Sequence, residues 1–187
     1  MRGSFEFILG MYSIIIGLGV SRQLEGVRNL VIYPRPLAGS LLYIGMLVIG
    51  LLVHATTWLS LWSMRDVETW KIWSFLLLMA APTVLYLYSS ITVPDGDGSI
   101  DLGEYYLANA RKMHALLLAA IFFNSLTELV LLGQVSSVPL ALLRLALMLL
   151  LLVCAAWPRS LRLHRFVVPA VIVGTVLLVP FVHAPIE

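Results

Sequence analysis

Two opposite charges stand inside apolar sequence, Glu128 and Arg144, and Asn124 precedes the glutamate by one helical turn. In hydrocarbon a charged side chain costs at least roughly 2.5–3.5 kcal/mol, so such groups pair, or they line water. Two chemistries follow. The pair is either a structural salt bridge or part of the wall of an ion, proton or anion path, with Asn124 extending the same polar stripe. His54 lies in another apolar stretch, with Gly50 and Trp58 on its face. A neutral imidazole there needs only one hydrogen bond to a neighbouring helix; a proton relay is the alternative, because histidine titrates near neutral pH. Metal or haem ligation needs partners, and His114 is the only other histidine expected inside the apolar segments. No cofactor or metal is expected.

Those residues must be positioned by elements that cross lipid. Sixty per cent of the 187 residues are apolar, 12% are charged, and the mean hydropathy is +0.97. Soluble domains run near 45–50% apolar and about 25% charged. The apolar residues form six stretches, at about 5–30, 37–63, 70–93, 103–132, 138–157 and 166–182. Each is long enough to cross roughly 30 Å of hydrocarbon as a helix. The expected fold is therefore an all-α bundle of about six transmembrane helices in a single domain, residues 1–187. The fourth and fifth stretches form a hairpin around Gly133–Ser137. Glu128 and Arg144 then both lie roughly 8–11 Å below its turn and face each other across two antiparallel helices.

Lysine and arginine set the expected orientation. Arg28, Arg35, Arg111, Lys112, Arg159, Arg162 and Arg165 fall on one side, and Arg2, Arg65 and Lys71 on the other. The basic side is cytoplasmic by the positive-inside rule, which places both termini outside. Trp58, Trp62, Trp70 and Trp73 flank the turn between the second and third stretches, as interfacial aromatics do. At the cytoplasmic end, Arg22, Glu25 and Arg28 close the first stretch, while Glu104 and Arg111 open the fourth beside Asp101, Tyr105, Tyr106 and Lys112. This charged collar reads as snorkelling side chains or as a vestibule. The basic run Arg159–Arg165 is expected to set topology and touch anionic lipid. A net charge of +2 implies no nucleic-acid partner.

Gly10, Ser13, Gly17 and Ser21 follow one helical face of the first stretch. Small residues at that spacing let helix backbones approach closely, so this row is expected at the centre of the fold or at a subunit contact. Cys154 stands alone and is expected to be a small packing residue. The loop Pro94-Asp95-Gly96-Asp97-Gly98-Ser99 is a solvated turn. It fails as a calcium loop, since the twelfth position counted from Asp95 or Asp97 is Tyr106 or Ala108 rather than glutamate. The opening Met1-Arg2-Gly3-Ser4 resembles an expression-vector leader and carries no weight, and no secretory cleavage site follows. Catalytic signatures such as GxSxG, HExxH, paired CxxC and a phosphate loop are missing. The R-x4-H spacing of Arg159 and His164 is a chance match in a basic loop.

Ser13–Gly26 reads S-I-I-x-G-L-G-x-x-x-x-L-x-G, and Pro94-Asp95 is followed by Asp101-Leu102-x-Glu104-Tyr105-Tyr106. In these patches the chain resembles a group of small uncharacterised bacterial multi-pass membrane proteins. The resemblance implies a bacterial cytoplasmic membrane and brings no activity that transfers to this chain. The expected function is non-enzymatic: passage of an ion, proton or small solute, with Glu128, Arg144, Asn124 and His54 along the path. The alternatives are an accessory subunit of a larger membrane complex, or a lipid-modifying enzyme using the collar. The expected partners are the lipid bilayer and further copies or subunits.

Overall fold

A computed structural model describes residues 2–33, 37–65, 67, 70–95, 100–133 and 137–182. Six α-helices follow one another: α1 Arg2–Ile32, α2 Leu37–Ser60, α3 Ile72–Thr92, α4 Leu102–Leu132, α5 Val138–Ala156 and α6 Leu161–Val182. A 3-10 turn, Leu61–Met64, continues α2. All six are long and apolar enough to cross a membrane, and no strand occurs among the described residues. The chain is an all-α multi-pass membrane protein.

Local chemistry sets the helix ends. The Asp101 carboxylate accepts the free backbone N–H groups of Gly103 and Glu104, at 2.7 and 3.0 Å, and so starts α4. Gly133 ends α4 in the left-handed conformation, φ 61°, where a Cβ would be strained. Pro82 lies inside α3, where its ring removes one backbone donor.

The helices alternate in direction, so the ends of α1, α3 and α5 meet the starts of α2, α4 and α6. Arg22, Arg28, Arg111 and the Arg159–Arg165 run gather toward this arginine-rich end. The tryptophans around the 3-10 turn mark the opposite end. α2 is the innermost span, packing against α1, α3, α4 and α6. Its apolar window is 56% buried, against 28% for α1.

Of the two places expected for the small-residue row of α1, it does not take the one at the centre of the fold. Gly10, Gly17 and Ser21 are exposed, Ser13 is half-buried, and a Cβ on Gly10 or Gly17 would meet nothing within 4 Å. The inward face is instead Ile8, Tyr12, Ile16, Gly19, Gln23 and Gly26. Bulky apolar residues hold this face in the core, and glycines give it close approach at two points. A Cβ on Gly19 would lie 2.3 Å from His54 Nε2, and one on Gly26 2.9 Å from Leu47 Cδ2. Glycines on α2 serve the same end. A Cβ on Gly45 would meet Val168 of α6 at 2.5 Å, and one on Gly50 would meet Gln23 and Tyr88 at 2.8 Å.

Gly19→Ala should therefore lower the melting temperature of the purified protein in detergent, whereas Gly17→Ala should leave it unchanged or raise it slightly, because alanine is the better helix former. Equal loss in both variants would show that the Gly19 contact with His54 does not control α1 docking.

Candidate functional site

Buried polar groups form three separate clusters. The first lies toward the tryptophan end. Glu128 and Arg144 are 7% and 9% exposed and meet through two hydrogen bonds, one of 2.9 Å from Arg144 Nη2 to Glu128 Oε1 and one between Nη1 and Oε2. The paired geometry suits a planar guanidinium facing a carboxylate. Asn124 donates to Glu128 Oε1 at 3.3 Å and accepts from Ser60 Oγ at 3.0 Å. Ser60 and Tyr12 both approach the Thr57 carbonyl, at 2.8 and 3.1 Å. The chain thus runs from α5 through α4 to α2 and α1. A cavity of about 30 Å³ adjoins it, lined by Thr56, Thr57, Asn124, Ser125, Arg144 and Thr175. That volume accommodates one or two water molecules. The Thr56, Ser125 and Thr175 hydroxyls already donate to backbone carbonyls, so they offer the cavity only lone pairs.

The second cluster centres on His54, which the structure separates from Glu128 and Arg144. His54 Nδ1 lies 2.7 Å from the Gly50 carbonyl. A carbonyl only accepts, so Nδ1 carries the proton and Nε2 presents a lone pair. Nε2 faces Ser89 Oγ at 3.4 Å, and Ser89 itself donates to the Leu85 carbonyl. Gln23 donates to Ser89 at 3.3 Å, while its Oε1 is buried without a partner. The cluster joins α1, α2 and α3. The sequence alone does not assign Gln23 and Ser89 to it, because that depends on which face of α1 turns inward.

The third cluster lies toward the arginine-rich end. Tyr106 and His164 meet at 2.5 Å between the phenol oxygen and Nδ1. His164 Nε2 lies 3.2 Å from the Trp157 carbonyl, so Nε2 donates and Nδ1 accepts from the tyrosine. The His114 ring stands 5.0 Å from that of His164, its own Nδ1 bonded to the Ala110 carbonyl at 2.6 Å. All three side chains are buried. His164 was expected in a basic loop; it lies within the first turns of α6 and is fully buried. Its helical spacing with Val167, Val168, Val171, Thr175 and Leu178, all buried, is the signal that the arginines on either side obscured. Cys154 is also buried and is a free thiol. Among the described residues no three His, Cys, Asp or Glu side chains converge to hold a metal ion.

The collar residues do not form one group. Arg22 bridges Glu25 at 2.5 Å, Asp95, and the Val93 carbonyl at 3.1 Å, tying α1 to the end of α3. Arg28, Glu104 and Arg111 are exposed. Gly96–Ser99 of the acidic loop lie outside the described residues. Above Tyr106 a pocket of about 740 Å³ opens between the first turns of α2, α4 and α6. Leu41, Leu42, Leu107, Val168, Pro169 and Ile172 supply its apolar walls, and Asp101, Glu104 and Arg165 its charges. Arg144 does not reach this pocket; it borders the small cavity at the other end.

Compared with known protein families, curated proteins and solved structures, the chain matches none. Its site must be read from its own geometry.

Glu128→Gln should destabilise the bundle by about 3–5 kcal/mol, because it leaves a buried guanidinium without its counter-charge. The double reversal, Glu128→Arg with Arg144→Glu, should restore much of that loss in thermal unfolding of the detergent-solubilised protein. A reversal no more stable than Glu128→Gln would show that the pair is not a self-contained brace.

Proposed function

We propose that this chain is a non-enzymatic protein of the bacterial cytoplasmic membrane that binds a small amphiphile at the cytoplasmic end of the bundle. One observation carries the reading: the pocket of about 740 Å³ between α2, α4 and α6, apolar along its walls and charged at its mouth. Ligand sites are typically concave, mostly apolar and furnished with a few polar groups, at volumes of roughly 300–1,000 Å³. A solute that enters here from the inner leaflet needs no open pore. The bundle interior is correspondingly filled, with Met46, Leu47, Leu85, Met113 and Leu117 all at most 1% exposed. Glu128 and Arg144 then act as the brace of the opposite half, since each satisfies the other.

An accessory role alongside other subunits is the second reading. The exposed face of α1, with Gly10, Gly17 and Ser21 open, is the observation that favours it.

The cytoplasmic placement of the pocket rests on the arginine asymmetry. Because the native Cys154 is buried, single added cysteines report cleanly. Lys71→Cys should react with a membrane-impermeant maleimide in intact cells, and Arg159→Cys only after permeabilisation. The reverse pattern would put the pocket on the outer face.

Filling the pocket tests binding itself. Leu107→Trp, from the half-buried α4 wall, should abolish retention of amphiphile by the purified protein in native mass spectrometry while leaving its melting temperature within a few degrees of the parent. Undiminished retention by the folded variant would remove the pocket from the function.

A further inference from the structure

The charges at the mouth of this pocket are of both signs, and their depth is ordered. Asp101 caps the start of α4, with Glu104 one turn further along the helix. Arg165 stands on the first turns of α6, across the opening. The acids and the base thus share the shallow end. The apolar wall runs down α6 as far as Ile172, eleven residues beyond Leu161, which is roughly 16 Å of helix. Tyr106 faces the pocket from α4, and its hydroxyl is already engaged with His164 Nδ1. It therefore contributes ring surface more than a hydrogen bond. Among the described residues neither Glu104 nor Arg165 has an ion-pair partner, although Arg22 on the same end pairs with both Glu25 and Asp95.

A molecule that matches this surface has an anion and a hydrogen-bonding cation at one end and hydrocarbon at the other. We infer that the pocket seats an aminophospholipid of the inner leaflet, its phosphate on Arg165, its primary ammonium on Asp101 and Glu104, and the start of its acyl chain along Leu107, Val168 and Ile172. An arginine fork suits a phosphate, whose oxygens accept two parallel N–H bonds. A primary ammonium brings three donors, which carboxylates accept; a quaternary ammonium brings none. An anionic lipid without an amine would face two carboxylates unpaired at the mouth, which is the element that selects against it. The volume takes a headgroup with the proximal part of a chain, while the remainder of the lipid lies along the exposed surfaces of Leu41 and Phe166 in the bilayer.

This inference rests on the amphiphile reading above, and one experiment separates the two. The full chain in detergent is titrated with phosphatidylethanolamine, phosphatidylcholine and phosphatidylglycerol of identical acyl chains, and bound lipid is counted by native mass spectrometry. Phosphatidylethanolamine should bind tightest. Glu104→Gln should weaken it about fivefold and narrow its lead over phosphatidylglycerol; Arg165→Gln should weaken all three phospholipids by a similar factor. Both side chains are exposed, so neither variant threatens the fold. Soluble phosphoethanolamine, in millimolar excess, should not displace the lipid, because it lacks the chain. Displacement by it would overturn the lipid assignment in favour of a soluble zwitterion. Equal binding of the three lipids, abolished together by Leu107→Trp, would overturn the headgroup assignment and leave the amphiphile reading standing. Binding indifferent to Leu107→Trp would remove both.

Discussion

Lipid offers no hydrogen bonds, so the polar groups this chain carries into the bilayer are driven to find partners inside the bundle, Gln23 Oε1 being an exception among the described residues. That requirement shapes the structure alongside apolar packing. Helices alone satisfy the backbone. The hydroxyls of Thr83, Ser90, Ser125 and Thr175 turn back onto carbonyls of their own helices. Groups too large or too charged for that are forced together across helices. Arg144 reaches Glu128, Asn124 reaches Ser60, Tyr88 donates to the Met46 carbonyl at 2.6 Å, and Tyr106 finds His164. Each of these contacts fixes the rotation of one helix against another, which contacts between apolar side chains alone would leave loosely specified.

The central place of α2 follows from the same demand together with its glycines. Gly45 and Gly50 remove side chains where α6, α1 and α3 press in, and His54 fills the space that Gly19 leaves on α1. In the membrane, where apolar side chains gain nothing by leaving lipid, close van der Waals approach and interhelical hydrogen bonds are what hold helices together. The contact of Gly19 with His54 supplies approach, and the hydrogen bond from Gln23 to Ser89 supplies polarity, at the same level of α1, α2 and α3.

Six spans, their limits within a few residues and the pairing of Glu128 with Arg144 were all legible in the sequence. Length and hydropathy determine the first, and the hairpin count from Gly133 determines the last. The rotation of α1 was not legible from its small residues. Gly10, Ser13, Gly17 and Ser21 make the longer row, but rows of small residues can face lipid as well as helix. What decides the rotation is where Tyr12 and Gln23 must point to reach Thr57 and Ser89, and that depends on helices far away in sequence. The burial of His164 is hidden in the sequence for a different reason. Arg162 and Arg165 raise the polarity of its neighbourhood, yet they project outward from a helix whose opposite face is apolar. His54 resembles Glu128 in the sequence as a titratable group within a span; in the structure its Nδ1 bonds the Gly50 carbonyl and its Nε2 faces Ser89 of α3.

The two ends of the bundle are closed differently. Toward the tryptophan end, the ion pair, Asn124, Ser60 and Tyr12 link α5, α4, α2 and α1 in one continuous chain, and only a cavity of water size is left beside it. Toward the arginine-rich end, α2 lies tight against α6 through Gly45 and Val168, while α4 and α6 are joined by the bond between Tyr106 and His164. That bond sits beneath the helix starts, so above it the first turns of α4 and α6 stand apart with their charges facing the gap. The charged end is thus the more open one, while at the other end the paired charges of Glu128 and Arg144 join α4 to α5.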